Sequence, residues 1–342
     1  MSARSLVIAC TLASLLLGCA SLPRDEEIRA LALRATQSQA DAREELERLA
    51  REGDATAQHY LGLMHLSGKG MPQSEPLAIE WFTQSAEQGH AVSAHNLGVI
   101  YERSRGPLKD LQEARRWYRI AADRGYAASM ANLGQMLAEG AGGPANLDDA
   151  RALIEKAAAQ GAPRGQYLLG MLTLEGRAGI THNMGEAARL IRVAAEGGDH
   201  EAQYGLALLH GTGQGVERSN KLALEWLRKA AAQRQRDAQF LLAAVYTRGL
   251  YGVPRDAKQA AEWLRRAALG GHVEAQYQLG VAYAEGRGVA QDSSEAYGWM
   301  LFAARNGHPR AIEFVRLVQS KLPKVEPEEH KPEEHKPGET KQ

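Results

Sequence analysis

Between residues 55 and 308 the apolar positions follow helical three–four spacing in paired runs. In one segment Leu279, Ala282 and Tyr283 make the first run, and Ala296, Trp299, Met300 and Ala303 make the second. Gly286 and Gly288 between them mark a tight loop, and Gly307 closes the segment. Each segment is expected to fold as a helix A, a glycine-bearing loop, a helix B and a glycine turn.

This pattern returns. The leucine of helix A recurs as Leu61, Leu97, Leu133, Leu169, Leu206, Leu242 and Leu279, in steps of 36 or 37 residues. Twenty or twenty-one residues after each lies Trp81, Trp117, Leu153, Leu190, Trp226, Trp263 or Trp299, and that slot holds all 5 tryptophans of the chain. A fixed period of about 20–50 residues means a stacked repeat architecture. The expected fold is all-α, an α-solenoid of seven helix-turn-helix repeats over residues 54–308.

The constant positions are read as packing. Gly62, Gly98, Gly134, Gly170 and Gly280 lower helix propensity, so their recurrence implies close approach of a neighbouring helix, expected at the bulky tryptophan slot. Trp81, Trp117, Trp226, Trp263 and Trp299 are accordingly expected in the repeat core. Gly89, Gly125, Gly161, Gly198, Gly271 and Gly307 fall where a left-handed residue would end helix B, with Arg234 in that place in the fifth unit.

Both ends carry partial repeats. Residues 41–54 match a helix B with Glu45 in the tryptophan slot, as expected of a cap that faces water, and Glu26 to Thr36 is expected to be the helix before it. Pro309 to Leu322 supplies one more A-type helix, with Val315 in the leucine slot, as the C-terminal cap. Composition changes at Pro323. Pro327-Glu328-Glu329-His330-Lys331 is duplicated as Pro332-Glu333-Glu334-His335-Lys336, and residues 323–342 are expected to be a disordered charged tail.

Charge narrows the partner classes. Lys plus Arg and Asp plus Glu number 41 each, so the net charge is zero and the field typical of a nucleic-acid binder is absent. The only cysteines, Cys10 and Cys19, lie near the N-terminus, so the repeats contain no disulfide and no thiolate site.

Arg4, the apolar run Leu6 to Leu17 and then Leu16-Leu17-Gly18-Cys19 read as a cleaved signal. The end of that segment resembles the lipobox of bacterial lipoproteins. The resemblance implies a signal peptide at residues 1–18, cleavage before Cys19 and acylation of Cys19. Residues 19–53 would then hold the lipidated cysteine, a short tether and the capping helices. Ala20 in place of aspartate implies the outer membrane, with the protein facing the periplasm.

The pattern A-x-x-x-L-G-x-x-Y, then G-x-G-V, then A-x-x-W-x-x-x-A-A-x-x-G is similar to the Sel-one-like repeat, a relative of the tetratricopeptide repeat. That resemblance implies a right-handed superhelix of antiparallel helix pairs serving as an adaptor in assembling complexes. The cysteines that brace some bacterial members are missing here.

No P-loop, nucleophile elbow, zincin motif or Rossmann fingerprint is present. No catalytic residue, cofactor or metal site is expected. His90, His272 and His308 follow helix-ending glycines and are read as structural, and the two histidines of the tail are read as solvated. His59 and His95 share a slot with Tyr167, Tyr204, Phe240 and Tyr277, which makes the first units more polar there.

The resemblance puts the A helices on the ligand-facing side. The slot before the repeat leucine varies most: Tyr60, Asn96, Asn132, Leu168, Gly205, Leu241 and Gln278. Tyr60, Asn96, Arg103, Asn132 and Gln135 are the expected contact patch. The function expected is a lipid-anchored periplasmic adaptor of an envelope or secretion assembly, holding one or more envelope proteins. The alternative is an immunity protein that neutralises a periplasm-acting toxic effector. A cell-wall or β-lactam hydrolase is a third and weaker reading.

Overall fold

The structure, a computed structural model, describes residues 24–104 and 106–321. The expected signal peptide, Cys19 and the charged tail lie outside the described residues. Among the described residues the chain is all-helical, with seventeen α-helices, two short 3-10 turns and no strand. Two helices, α1 (Arg24–Thr36) and α2 (Ala40–Arg51), precede seven A/B pairs, and the last helix, Pro309–Lys321, follows them. This is the helix-pair order of an α-solenoid. The described residues form two compact units, divided between Ala223 and Leu224.

Each helix is thirteen residues long except α2, which has twelve, and sequence chemistry sets both ends. Every helix B starts at a short polar residue: Ser74, Asp110, Asn146, Asn183, Ser219, Asp256 or Asp292. Each side chain accepts a hydrogen bond from an amide in the first turn. The N–H of that same residue donates to the carbonyl of the helix-A position filled by His65, Tyr101, Leu137, Thr173, His210, Tyr246 or Tyr283, at 2.9–3.2 Å. The turn into the next pair carries glycine at positive φ, between 76° and 97° at Gly89, Gly125, Gly161, Gly198, Gly271 and Gly307. Arg234 takes this left-handed conformation with φ 64°.

The core lies one residue beyond the expected tryptophan slot. Phe82 and Tyr118 are 0% exposed, Ile154 and Ile191 1%, Leu227 0%, Leu264 7% and Met300 5%. A Cβ on Gly62 would stand 2.6 Å from the Phe82 ring, and one on Gly98 2.6 Å from Tyr118. Gly134 and Gly170 face Ile154 and Ile191 in the same way. The mid-helix glycines therefore make room for this slot and not for tryptophan. Of the five tryptophans only Trp117 is buried, while Trp81, Trp226, Trp263 and Trp299 are half-buried.

The reason is angular. In helix B the buried stripe runs through Ala78, Phe82, Ser85 and Ala86, and position 81 sits at its flank. A ring there covers the seam with one face outward. Arg116, Lys229 and Arg266 lie over the rings of Trp117, Trp226 and Trp263 at 4.9, 3.9 and 4.3 Å.

The cap α2 obeys the same shift. Leu46 is fully buried, and Glu45 pairs with Arg48 at the surface. At the far end Val315 is buried in the leucine slot of the last helix.

Buried glutamines tie successive pairs together. Gln58, Gln203, Gln239 and Gln276 each donate Nε2 to the carbonyl eight residues back, on Ala50, Ala195, Ala231 and Ala268, at 3.0–3.2 Å. A carbonyl at a helix C-terminus needs such a partner once neighbouring helices exclude water.

Candidate interaction surface

The period divides each helix A into a core side and a free side. Gln58, Leu61 and Gly62 of the first helix A are buried, as are their equivalents Gln276, Leu279 and Gly280 in the last. The slot before the leucine is half-buried in all seven pairs, at Tyr60, Asn96, Asn132, Leu168, Gly205, Leu241 and Gln278. Six residues beyond the leucine, Ser67, Arg103, Glu139, Glu175, Thr212, Arg248 and Glu285 are all exposed. These positions change type from pair to pair, since each keeps part of its side chain at the surface.

The five expected contact residues do not form one cluster. Tyr60 lies edge-on to His59 with ring centroids 5.4 Å apart. It lines a cavity of about 580 Å³ with Glu26, Arg29 and Leu33 of α1 and with Leu63 and Ser67 of its own helix. Asn96 occupies the same slot one pair later.

Asn132 and Arg103 meet around Tyr118. The Tyr118 hydroxyl donates to Glu102 Oε2 at 2.7 Å, and Asn132 hydrogen-bonds the same hydroxyl. Burial foremost, then the Glu102 charge, holds the Tyr118 phenol well above its usual range, so it stays a donor.

Gln135 belongs to a different row. It donates to Glu139 at 2.8 Å and accepts from Arg164 Nη2 at 2.7 Å. Arg164 in turn lies 5.2 Å from the Tyr167 ring centroid and 3.9 Å from Asp199. The sequence reading missed Glu102, Tyr118 and Arg164. Only the pairing of helices brings them beside the variable slot.

The histidines fill structural places of two kinds. His90, His272 and His308 begin helices, each Nδ1 accepting an amide N–H, from Ser93 at 3.2 Å, Ala275 at 3.1 Å and Ala311 at 3.2 Å. His59 and His95 reach into the next pair. His59 Nδ1 is 2.9 Å from Ser93 Oγ, which donates to Ser85 Oγ at 2.8 Å, and Ser85 donates to the Ala55 carbonyl at 2.7 Å. Because Ser93 donates onward, His59 must donate to it.

His95 repeats the contact on Ser129 Oγ at 2.8 Å. Burial, aided by His90, pushes His59 down to about 4, and burial, aided by Arg103, does the same for His95. Both rings are neutral at neutral pH. Among the described residues no group of three His, Cys, Asp or Glu side chains is placed to hold a metal ion, and no helix is long and apolar enough to cross a membrane.

A family model described as the Sel1 repeat matches seven times, at residues 55–90, 91–126, 127–161, 163–199, 200–234, 236–272 and 273–308. No curated protein matches the chain. A Sel1 repeat protein from Oxalobacter formigenes is 27% identical, with a TM-score of 0.57 over 87% of this chain and 91% of that one. A second solved structure is c5321, described as a protective antigen present in uropathogenic Escherichia coli strains and displaying an SLR fold. It is 28% identical with a TM-score of 0.51, and the match covers 87% of this chain and 65% of that one. An immunity protein from Pseudomonas aeruginosa is 21% identical, with a TM-score of 0.46 over 64% of this chain and 82% of that one.

Proposed function

This chain belongs to the Sel1 repeat family, a protein-interaction scaffold fold, and on that premise we propose that it is a lipid-anchored adaptor of a bacterial envelope or secretion assembly. It would be held at the outer membrane through Cys19, face the periplasm and carry a protein partner on its A helices. One observation carries the reading. All seven positions before the repeat leucine are left half-exposed while the leucine itself is buried in every pair but the fourth, so within each unit the chain holds a row of variable side chains on a constant frame. Such a row suits a long protein surface better than one small substrate. The membrane anchor rests on Leu16-Leu17-Gly18-Cys19 alone.

Crosslinking in intact cells followed by purification under denaturing conditions tests the adaptor. One envelope protein should be recovered in stoichiometric amount. Recovery of none under several crosslinking conditions sinks the reading, and recovery of a secreted toxin replaces it with an immunity role. Cys19→Ser should leave the helical circular dichroism unchanged and move the protein from the membrane to the soluble fraction. Continued membrane retention of that variant counts against lipidation.

A further inference from the structure

The second unit contains a cavity of about 750 Å³ that the sequence reading did not single out. Its floor is apolar and built of small side chains, Ala260, Ala261, Leu264 and Val281. Its charged lining is Arg255, Arg287 and Arg310 against one carboxylate, Glu274. That carboxylate is already engaged: it accepts from Gln278 Nε2 at 2.8 Å and lies 3.0 Å from His308 Nε2.

The arginines are less committed. Arg287 pairs with Glu285 at 2.5 Å at the exposed surface. Arg255 donates Nε to the Arg248 carbonyl at 3.3 Å, and Arg310 has no ion pair among the described residues. Three guanidinium groups thus surround an apolar floor; two of them, Arg255 and Arg310, have no ion pair among the described residues, and the lining holds no free carboxylate.

The surface continues along the last helix. Phe314 and Leu317 follow Arg310 by four and seven residues, which places them on its face of the helix. They are 38% and 54% exposed. Phe314 stands 36 residues after Gln278 and Leu317 36 after Val281, so both occupy the slots that line the cavity one pair earlier.

A guanidinium fork matches a carboxylate in two parallel hydrogen bonds, and a volume of about 300–1,000 Å³ accepts a few side chains and no whole helix. Building on the adaptor reading, we propose that this site holds an acidic segment of the partner protein. Its carboxylates are held by Arg255, Arg287 and Arg310, and its apolar side chains lie over Leu264, Val281, Phe314 and Leu317.

The test uses the detergent-solubilised full chain and two short fluorescent peptides that share their apolar residues, one with glutamate and one with lysine at alternate positions. Fluorescence anisotropy at low salt should show the glutamate peptide binding about tenfold tighter, an advantage that high salt removes. The combined Arg255→Glu, Arg287→Glu and Arg310→Glu variant should reverse the preference with unchanged circular dichroism, since all three side chains are exposed. Phe314→Ser should weaken both peptides. Equal binding of the two peptides, or an acidic preference that survives the triple variant, overturns the proposal.

So does crosslinking of the chain's own residues 327–342 into the cavity, which would make the occupant internal. If the triple variant still captures its partner in cells, this site fails and the adaptor reading stands. If the acidic preference holds but no partner is ever crosslinked, the adaptor reading fails alone.

Discussion

The junctions between consecutive A helices are built differently in the two units. In the first unit His59 lies against His90 with centroids 4.6 Å apart and planes 39° apart, and His95 lies against Tyr126 at 5.0 Å and 58°. The rings are tilted because each histidine turns its Nδ1 to a buried serine, Ser93 or Ser129. In the second unit Phe240 stacks on His272 at 4.2 Å and 22°, and Tyr277 on His308 at 4.2 Å and 12°. The serine position facing these rings is Ala275 or Ala311.

The same place in the period thus accepts a hydrogen-bonded chain or a flat stack. Where it holds a planar ring the ring reaches the next helix start, while the third pair fills the place with the buried Ala131. Polarity at this position is free as long as every buried polar atom finds a partner.

The largest effect should come from the slot both units share. Phe82→Ala should cost about 3–5 kcal/mol and Leu264→Ala about 2–5, read as lost hydrogen-exchange protection in the surrounding helices. Trp81→Ala, at a half-buried flank, should cost clearly less than Phe82→Ala. Equal costs at 81 and 82 would return the tryptophan to the core.

Acid should separate the units next. His59 is held at about 4 against an ordinary value near 6.5, so the unfolded chain binds its proton first as pH falls. Its contribution is complete above about pH 6.5, declines between there and about pH 4, and amounts to about 3 kcal/mol when fully lost. His95 adds loss over the same window.

Exchange protection in Ala55–Arg103 should therefore fall over that window more than in Val273–Glu285. There His272, also lowered by burial, gives a smaller effect. The double variant His59→Tyr and His95→Tyr should flatten the difference. A uniform acid response along the chain would remove the contrast.

A smaller effect should follow from the serine itself. Ser93→Ala leaves the His59 donor without its acceptor inside the core, a loss of about 1–3 kcal/mol by urea denaturation. Ala275→Ser, the matching change in the second unit, should give no compensating gain in the same measurement. Phe240 stands there in the place of His59, and its ring has no polar atom to bond a new hydroxyl.

The smallest change is a gain. Arg234 takes a left-handed conformation where the first unit has Gly53, Gly89, Gly125, Gly161 and Gly198. Arg234→Gly should raise stability by about 1 kcal/mol, seen as a small rise in Tm. No rise would mean that the arginine side chain compensates the strained backbone.

Helix number, pairing and order were legible because apolar spacing and glycine placement act locally, within one helix or one turn. The helix-B starts went unread, although Ser74, Asp110, Asn146, Asn183, Ser219, Asp256 and Asp292 recur in register and their capping chemistry needs nothing beyond the next turn. The free slot was legible by exclusion, since Tyr60, Asn96 and Asn132 vary where Leu61, Leu97 and Leu133 do not. Grouping within that slot was not. Asn132 and Arg103 converge on Tyr118 and Glu102 while Gln135 joins Arg164, and these contacts depend on where separate helices rest.

By itself the sequence determined the repeat, its two helices, its turns and the family, because each is set by interactions of short range repeated seven times. Tertiary structure alone decided which side of helix B is the core. Trp81 and Phe82 are adjacent and both large, and spacing tolerates either in the stripe. Only the close approach of Gly62, which leaves room for the ring at 82, puts Phe82 inside and turns Trp81 toward the seam. The three arginines around the second unit's cavity were likewise beyond the sequence, since two sit in loops and one in the cap, and only packing gathers them.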